Sequence, residues 1–140
     1  MTGASRRLTC NRRRACYSSL AREHPIDMPS SQIVRRPLLS ADIGERKVTR
    51  VEVREIIFEP SQATGRHKHP CPVICYIAEG TAIVQEEGGP AREVHAGESV
   101  HEPADTIMAR FDNASATQPM KFIAHYLLTG GEPLIEMLDR

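Results

Sequence analysis

A β-sandwich or β-barrel is what this sequence predicts, and three observations carry the prediction. Short runs rich in β-branched residues recur every 8–12 residues or so, with turn signals between them. Ten prolines and nine glycines punctuate a chain of 140 residues, a composition that favours strands and turns. The length suits one domain with a real core.

The elements follow in chain order. Residues 1–30 carry Arg6-Arg7 and Arg12-Arg13-Arg14 among serines, without apolar periodicity, and are expected to be a disordered basic extension. Their Arg-rich, Ser-rich, acid-free start resembles an organelle transit peptide in composition; the alternative is a functionless extension ahead of Met28. The domain is expected to fill residues 31–140. Gln32–Arg36 reads as a short first strand and Val48–Phe58 as a better one, with Val51, Val53, Glu55 and Ile57 on one face. Val73–Ala78 is a nearly continuous apolar run, as in a strand covered on both faces. Gly80 breaks it and Thr81–Gln85 follows. The Glu86-Glu87-Gly88-Gly89-Pro90 stretch is a hairpin turn. Arg92–His95, Ser99–Glu102, Ile107–Phe111 and Lys121–Leu128 complete the strands, and Leu134–Leu138 is a last strand or a short helix.

Charge narrows the function classes. Lysine plus arginine equals aspartate plus glutamate at 18 each, yet residues 1–22 hold six arginines and no acid, so the remainder is net acidic. An acidic body argues against nucleic acid as the partner. No apolar stretch is long enough to span a membrane as a helix. The four cysteines, Cys10, Cys16, Cys71 and Cys75, form no CxxC pair, and no secretory apolar region is visible. The expectation is reduced thiols and a cytoplasmic protein.

His67-Lys68-His69 is the chemical centre of the sequence. Histidines at i and i+2 on an extended segment point to the same side, with Cα atoms about 6.6 Å apart. That suits two imidazoles converging on one ion or one anionic ligand; the bland alternative is a pair of surface histidines in a loop. Gly65 precedes the pair, Pro70 and Pro72 follow it, and the apolar run ends at Gly80. A second glycine–proline block, Gly97 to Pro103, lies some thirty residues on.

With both blocks in view, the chain resembles a small single-domain cupin over roughly residues 45–130. His67, His69 and Gly80 match the family's first motif, but its glutamate position is Val73. Gly97 and Pro103 match the second motif, but its glycine is Asp105, its histidine is Met108 and its asparagine position is Asp112, with Asn113 beside it. The resemblance implies an all-β double-stranded β-helix, or jelly-roll barrel, often dimeric, with a metal held by three histidines and a glutamate. It further implies either a dioxygenase- or isomerase-like enzyme on a small organic substrate, or a metal-free cupin that binds or senses a small anionic ligand.

Two of the four implied ligands survive, His67 and His69. Valine coordinates nothing and a methionine thioether is a soft, weak ligand. One divalent transition metal is therefore expected to be weakly held, with His101, two residues before Pro103, as the best third ligand. The strand-face parity at His101 is open, as is the role of His125. Cys75 shares a face with His67 and His69 by period-two counting but lies too far along an extended chain unless Pro70–Pro72 bends sharply; Cys71 is nearer. Arg110 is two residues beyond Met108, so regular alternation points both into the barrel, where Arg110 could clamp a carboxylate or pair with Asp112. Val73, Ile77 and Met108 are expected as the apolar wall of the ligand site. A homodimer is expected, from the apolar residues in Gln32–Leu39 and from the two apolar faces of Lys121–Leu128.

Overall fold

The β-branched runs become strands almost where their patterns end. In the computed structural model, which describes residues 32–138, nine strands follow in order: β1 (Arg50–Phe58), β2 (His67–Lys68), β3 (Val73–Glu79), β4 (Thr81–Glu86), β5 (Arg92–His95), β6 (Ser99–Glu102), β7 (Met108–Asn113), β8 (Met120–Leu128) and β9 (Glu136–Met137). Among the described residues there is no helix. The last element is thus a strand rather than a helix. Residues 32–36 form no strand, in contrast to the expectation for Gln32–Arg36; they belong to a unit separate from the one that begins at Pro37. The expectation for residues 1–30 lies outside the described residues.

Two antiparallel sheets make up the barrel. One has the order β1-β8-β3-β6 and the other β5-β4-β7-β2-β9. The chain changes sheet repeatedly. Pro70–Pro72 carries it from β2 in the second sheet to β3 in the first, and Gly80 carries it from β3 to β4. Gly80 has a φ of 84°, and a Cβ there would meet Met120 Cα and the Pro119 carbonyl at 3.2 Å. Positive φ and a close backbone approach both call for glycine. Asp105 adopts a φ of 60°, the left-handed conformation that aspartate tolerates. Its amide donates to the His69 carbonyl at 2.7 Å, so this turn braces the histidine segment.

Alternation builds the core between the sheets. Val73, Cys75 and Ile77 of β3 face Val84, Val94, Met108 and Phe111 of the other sheet, and β8 contributes Met120, Phe122, Ala124, Tyr126 and Leu128. Burying one such large side chain stabilises the fold by about 1.5–3 kcal/mol. Phe58, Phe111 and Phe122 form an edge-to-face and tilted cluster, with centroids 4.9 to 6.3 Å apart. In β1 the face shared by Val51, Val53 and Ile57 is the outer one, each residue being more than half exposed; Ile56 and Phe58 pack against the core.

One irregularity matters for the site. Along β7, Arg110 pairs with Gln85 and Met108 with Glu86. Two steps on β7 oppose one on β4, so Ala109 is the extra residue of a β-bulge. A bulge breaks period-two alternation. Met108 and Phe111 are consequently both buried although three apart, and Arg110 is turned outward.

Candidate metal centre

Backbone carbonyls fix both histidines before any ligand is considered. His67 Nδ1 is 2.7 Å from the Gly65 carbonyl and His69 Nδ1 is 2.6 Å from the Leu134 carbonyl. A carbonyl oxygen only accepts, so each Nδ1 carries the proton and donates. In the neutral ring each Nε2 is then a bare lone pair. Both Nε2 atoms converge on one carboxylate oxygen, Glu102 Oε2, at 3.3 Å from His67 and 2.8 Å from His69. The two rings stand edge-on, with centroids 5.1 Å apart. All three side chains are buried, with no more than 7% of any one exposed.

Three acceptors facing one another inside a barrel are mutually repulsive unless a cation lies between them. A proton can serve. Burial pulls the His69 pKa down, but the hydrogen bond to Glu102, its charge and the Leu134 carbonyl together hold it above the ordinary histidine value. Burial pushes Glu102 up, and the hydrogen bonds from His67 and His69 with their charges outweigh it, leaving the carboxyl below its ordinary value. A metal ion can serve equally. The potential ligand atoms of His67, His69 and Glu102 all lie within 4.8 Å of one another, and two imidazoles with one carboxylate are a known donor set for divalent transition metals. The Nδ1–H···O=C bonds supply the outer support that orients ligating histidines. The residues present fit a metal.

The sequence pattern did not single out Glu102, which stands directly across the β3–β6 ladder from Val73. The carboxylate absent at Val73 is thus supplied by the neighbouring strand. A signal for it existed. Val100 is apolar and inward, so alternation along β6 also turns Glu102 inward, and a carboxylate at a core-facing position is unusual unless it is paired or functional.

The structure distributes the other expected residues as follows. His101 lies on the opposite face of β6 from Glu102 and outside the three-ligand cluster. It lines a separate pocket of about 160 Å³ with Glu86 and Arg92, and its buried Nε2 has no hydrogen-bond partner among the described residues. Arg110, expected inside, is a correction: the Ala109 bulge places its side chain 44% exposed, with Nε donating to Asp112 at 2.7 Å. Met108 is buried opposite His67 in the β2–β7 ladder and lines the His101 pocket rather than the cavity over the histidines; Val73 does line that cavity, and Ile77 is fully buried in the core rather than on its wall. Cys75 does reach the cavity, because Pro70–Pro72 carries the chain across to the other sheet. Burial raises its thiol pKa well above the ordinary value. His125 donates from Nδ1 to the Ile74 carbonyl at 3.0 Å and stands on the half-buried outward positions of β8.

A cavity of about 210 Å³ opens over the two histidines and Glu102. Aromatic rings wall it, including Phe58, Phe111, Phe122 and Tyr126. Tyr126 stands edge-on to His69 at 5.9 Å. Burial, reinforced by Cys75 and Glu102, pushes its pKa up to about 12, so the phenol keeps its proton at neutral pH. The Thr64 hydroxyl is committed to the Phe111 carbonyl at 3.1 Å.

A family model described as a cupin domain matches residues 54–126, which takes in β2, the Glu102 strand and Tyr126. The chain belongs to the cupin family. Among solved structures, this cupin is similar to a cupin-like protein of Thermotoga maritima, with 27% identity, a TM-score of 0.56 and coverage of 63% of this chain and 64% of that one. It is also similar to the DMSP lyase DddQ of Ruegeria pomeroyi DSS-3, with 20% identity, a TM-score of 0.54 and coverage of 62% and 42%. An oxalate oxidase in complex with the substrate analogue glycolate gives 21% identity, a TM-score of 0.54 and coverage of 63% and 46%. The two enzyme likenesses show the fold alone. The cupin spans less than two thirds of the length of each of these three proteins. No curated protein matches the sequence.

Proposed function

We propose that this cupin is a metal-dependent enzyme acting on a small organic molecule, with one divalent transition metal held by Nε2 of His67, Nε2 of His69 and the carboxylate of Glu102. The observation that carries the reading is the convergence of two bare Nε2 lone pairs on a buried carboxylate oxygen, at 3.3 and 2.8 Å. When bound, such an ion supplies a Lewis acid that polarises an oxygen of the ligand; the oxygenation or isomerisation class implied by the resemblance is compatible with that chemistry. The chain's own residues do the rest. Gly65 and Leu134 hold the Nδ1 protons and so fix the imidazole orientation. Glu102 contributes the negative charge that two imidazoles lack. The phenylalanine wall excludes water and lowers the local dielectric, which strengthens every electrostatic contact inside. Tyr126 stands beside His69 as a protonated donor.

A second reading has its own support. The 2.8 Å contact of His69 with Glu102 is also the length of a charge-assisted hydrogen bond. In that reading the cluster is a proton-bridged ion pair within a metal-free binding barrel. Elemental analysis of untagged protein separates the two. The metal reading expects close to one equivalent of a divalent transition metal in the wild type and its loss in Glu102→Gln. Metal-free wild type that takes up none on titration defeats it.

We also propose a homodimer formed through the outer face of β1. Val51, Val53 and Ile57, with Glu55 between the last two, leave a largely apolar face on an edge strand paired only with β8 among the described residues. An unpaired strand edge is a template for pairing with another chain.

A further inference from the structure

We propose that the cavity takes a neutral, mainly apolar molecule of about the size of a monosubstituted benzene, presenting a single oxygen or nitrogen donor to the histidine end, and that it rejects small carboxylates. The donor end of this inference rests on the metal reading above; the apolar body of the ligand does not.

Size comes first. The cavity is about 210 Å³, somewhat larger than the roughly 150 Å³ apolar cavity that admits benzene. A six-membered ring with one short substituent fits within it, whereas a nucleotide exceeds it. Shape and chemistry come next. Phe58, Phe111 and Phe122 present faces and edges to the space, and Ile56, Val73 and Ala124 fill the gaps between them. Aromatic walls contact a flat ring through offset or edge-to-face packing.

Charge decides the sign of the selection. Among the described residues lining the cavity, none is lysine or arginine. The acidic side chain there is Glu102, buried against His67 and His69 at 3.3 and 2.8 Å. Arg110, which could have received an anion, is outside and paired with Asp112 at 2.7 Å. A dicarboxylate entering this space would bring two charges into an apolar wall. A metal could neutralise at most the end that it binds, leaving the other charge against phenylalanine. Burying an unpaired charge is far more costly than burying a hydroxyl that finds one partner. Polar capacity is correspondingly concentrated at one end, in His67, His69, Glu102 and Tyr126.

The test compares phenol with malonate, two probes equal in number of non-hydrogen atoms and opposite in character. With cobalt(II)-loaded wild-type protein, phenol should perturb the cobalt visible bands and raise the melting temperature, with affinity at least about tenfold above that of malonate, a difference of about 1.4 kcal/mol. Malonate binding as tightly as phenol, or more tightly, overturns the proposal. Ala124→Phe fills the cavity and should abolish the phenol response while the cobalt bands stay; Ala124→Leu serves if the larger ring prevents folding. A phenol response that survives a folded, cavity-filled variant places the ligand elsewhere and also overturns the proposal. In metal-free protein, toluene should raise the melting temperature and malonate should not, and the reverse result again defeats it. The metal reading fails separately, through absence of cobalt bands in a protein that still responds to toluene.

Discussion

The Glu102 carboxylate lies 2.8 Å from Nε2 of His69, on the side of the ring opposite the Leu134 carbonyl that holds the Nδ1 proton. The imidazole is therefore clamped between an acceptor that fixes its tautomer and an acceptor that demands a cation. Every property of the site follows from what fills that gap.

Replacing Glu102 by glutamine keeps the shape and removes the charge. Even partners one shell removed from a metal cost tenfold to a hundredfold in affinity when lost, so Glu102→Gln should weaken metal binding by about a hundredfold or more. Competition against a chromophoric chelator measures it. Affinity unchanged within threefold or so would show that Glu102 is not a ligand.

His101→Leu should leave metal stoichiometry and affinity untouched, because His101 is outside the cluster. Its Nε2 is buried without a partner among the described residues, and an unsatisfied buried polar atom costs about 1–3 kcal/mol. The leucine variant should accordingly melt at the same temperature or higher. Loss of metal in this variant would restore His101 to the ligand set.

Above about pH 6.5 the metal-free protein should lose stability as pH rises, while the metal-loaded protein should hold its stability. Glu102 has a lowered folded pKa, so its contribution is present above the unfolded carboxyl value of about 4.3 and is lost as pH falls through the folded value. His69 has a raised folded pKa, so its contribution is complete below about 6.5 and is lost as pH rises through the folded value. The metal-free protein should be most stable between those limits. Metal competes with the His69 proton, so the stabilisation conferred by metal should grow as pH rises. Thermal unfolding across a pH series, with and without metal, records both slopes; parallel curves would contradict the shared site.

Gly80→Ala and Gly97→Ala should differ in cost. Both glycines have positive φ, at 84° and 89°. A Cβ at Gly97 meets nothing within 4 Å, whereas one at Gly80 meets backbone at 3.2 Å on β8 and the residue before it. Gly97→Ala should cost about 1 kcal/mol, the conformational penalty alone, and Gly80→Ala clearly more. Equal denaturation midpoints would show that the β3–β4 crossing yields without strain.

Val53→Glu puts a charge in the middle of the exposed β1 strip. Light scattering should give a dimer mass for the wild type and a monomer for the variant. A wild-type monomer at micromolar concentration would remove the outer face as an interface.

Much of this was legible in the sequence because the barrel is built from short-range signals. Arg92–His95 and Ser99–Glu102 were readable to the residue, and β1, β3, β4, β7 and β8 to within one or two, because alternation and turn residues are local; the two-residue β2 was not read as a strand, and β9 was left open between strand and helix. His67 and His69 were readable for the same reason. Glu102 was not, because motif spacing directed attention to Val73, and the ladder that brings Glu102 opposite Val73 is a long-range pairing. Arg110 was misplaced by counting through a bulge. That bulge depends on how β7 lies against β4, which no window of β7 alone contains. Gln32–Arg36 had strand-like residues but forms no ladder in the structure, and a strand exists only by pairing.

The Ala109 bulge has one more consequence, and it concerns how this barrel can diverge. Met108 backs His67, and Phe111 walls the ligand cavity. Three residues apart, they share a face only because one residue between them is surplus. A chain that dropped Ala109 would bring them two apart and keep both inward by ordinary alternation. Loss of one residue at this point should therefore be architecturally silent among relatives, and a one-residue gap there in an alignment would mark a place where length is free while the inward pair is not.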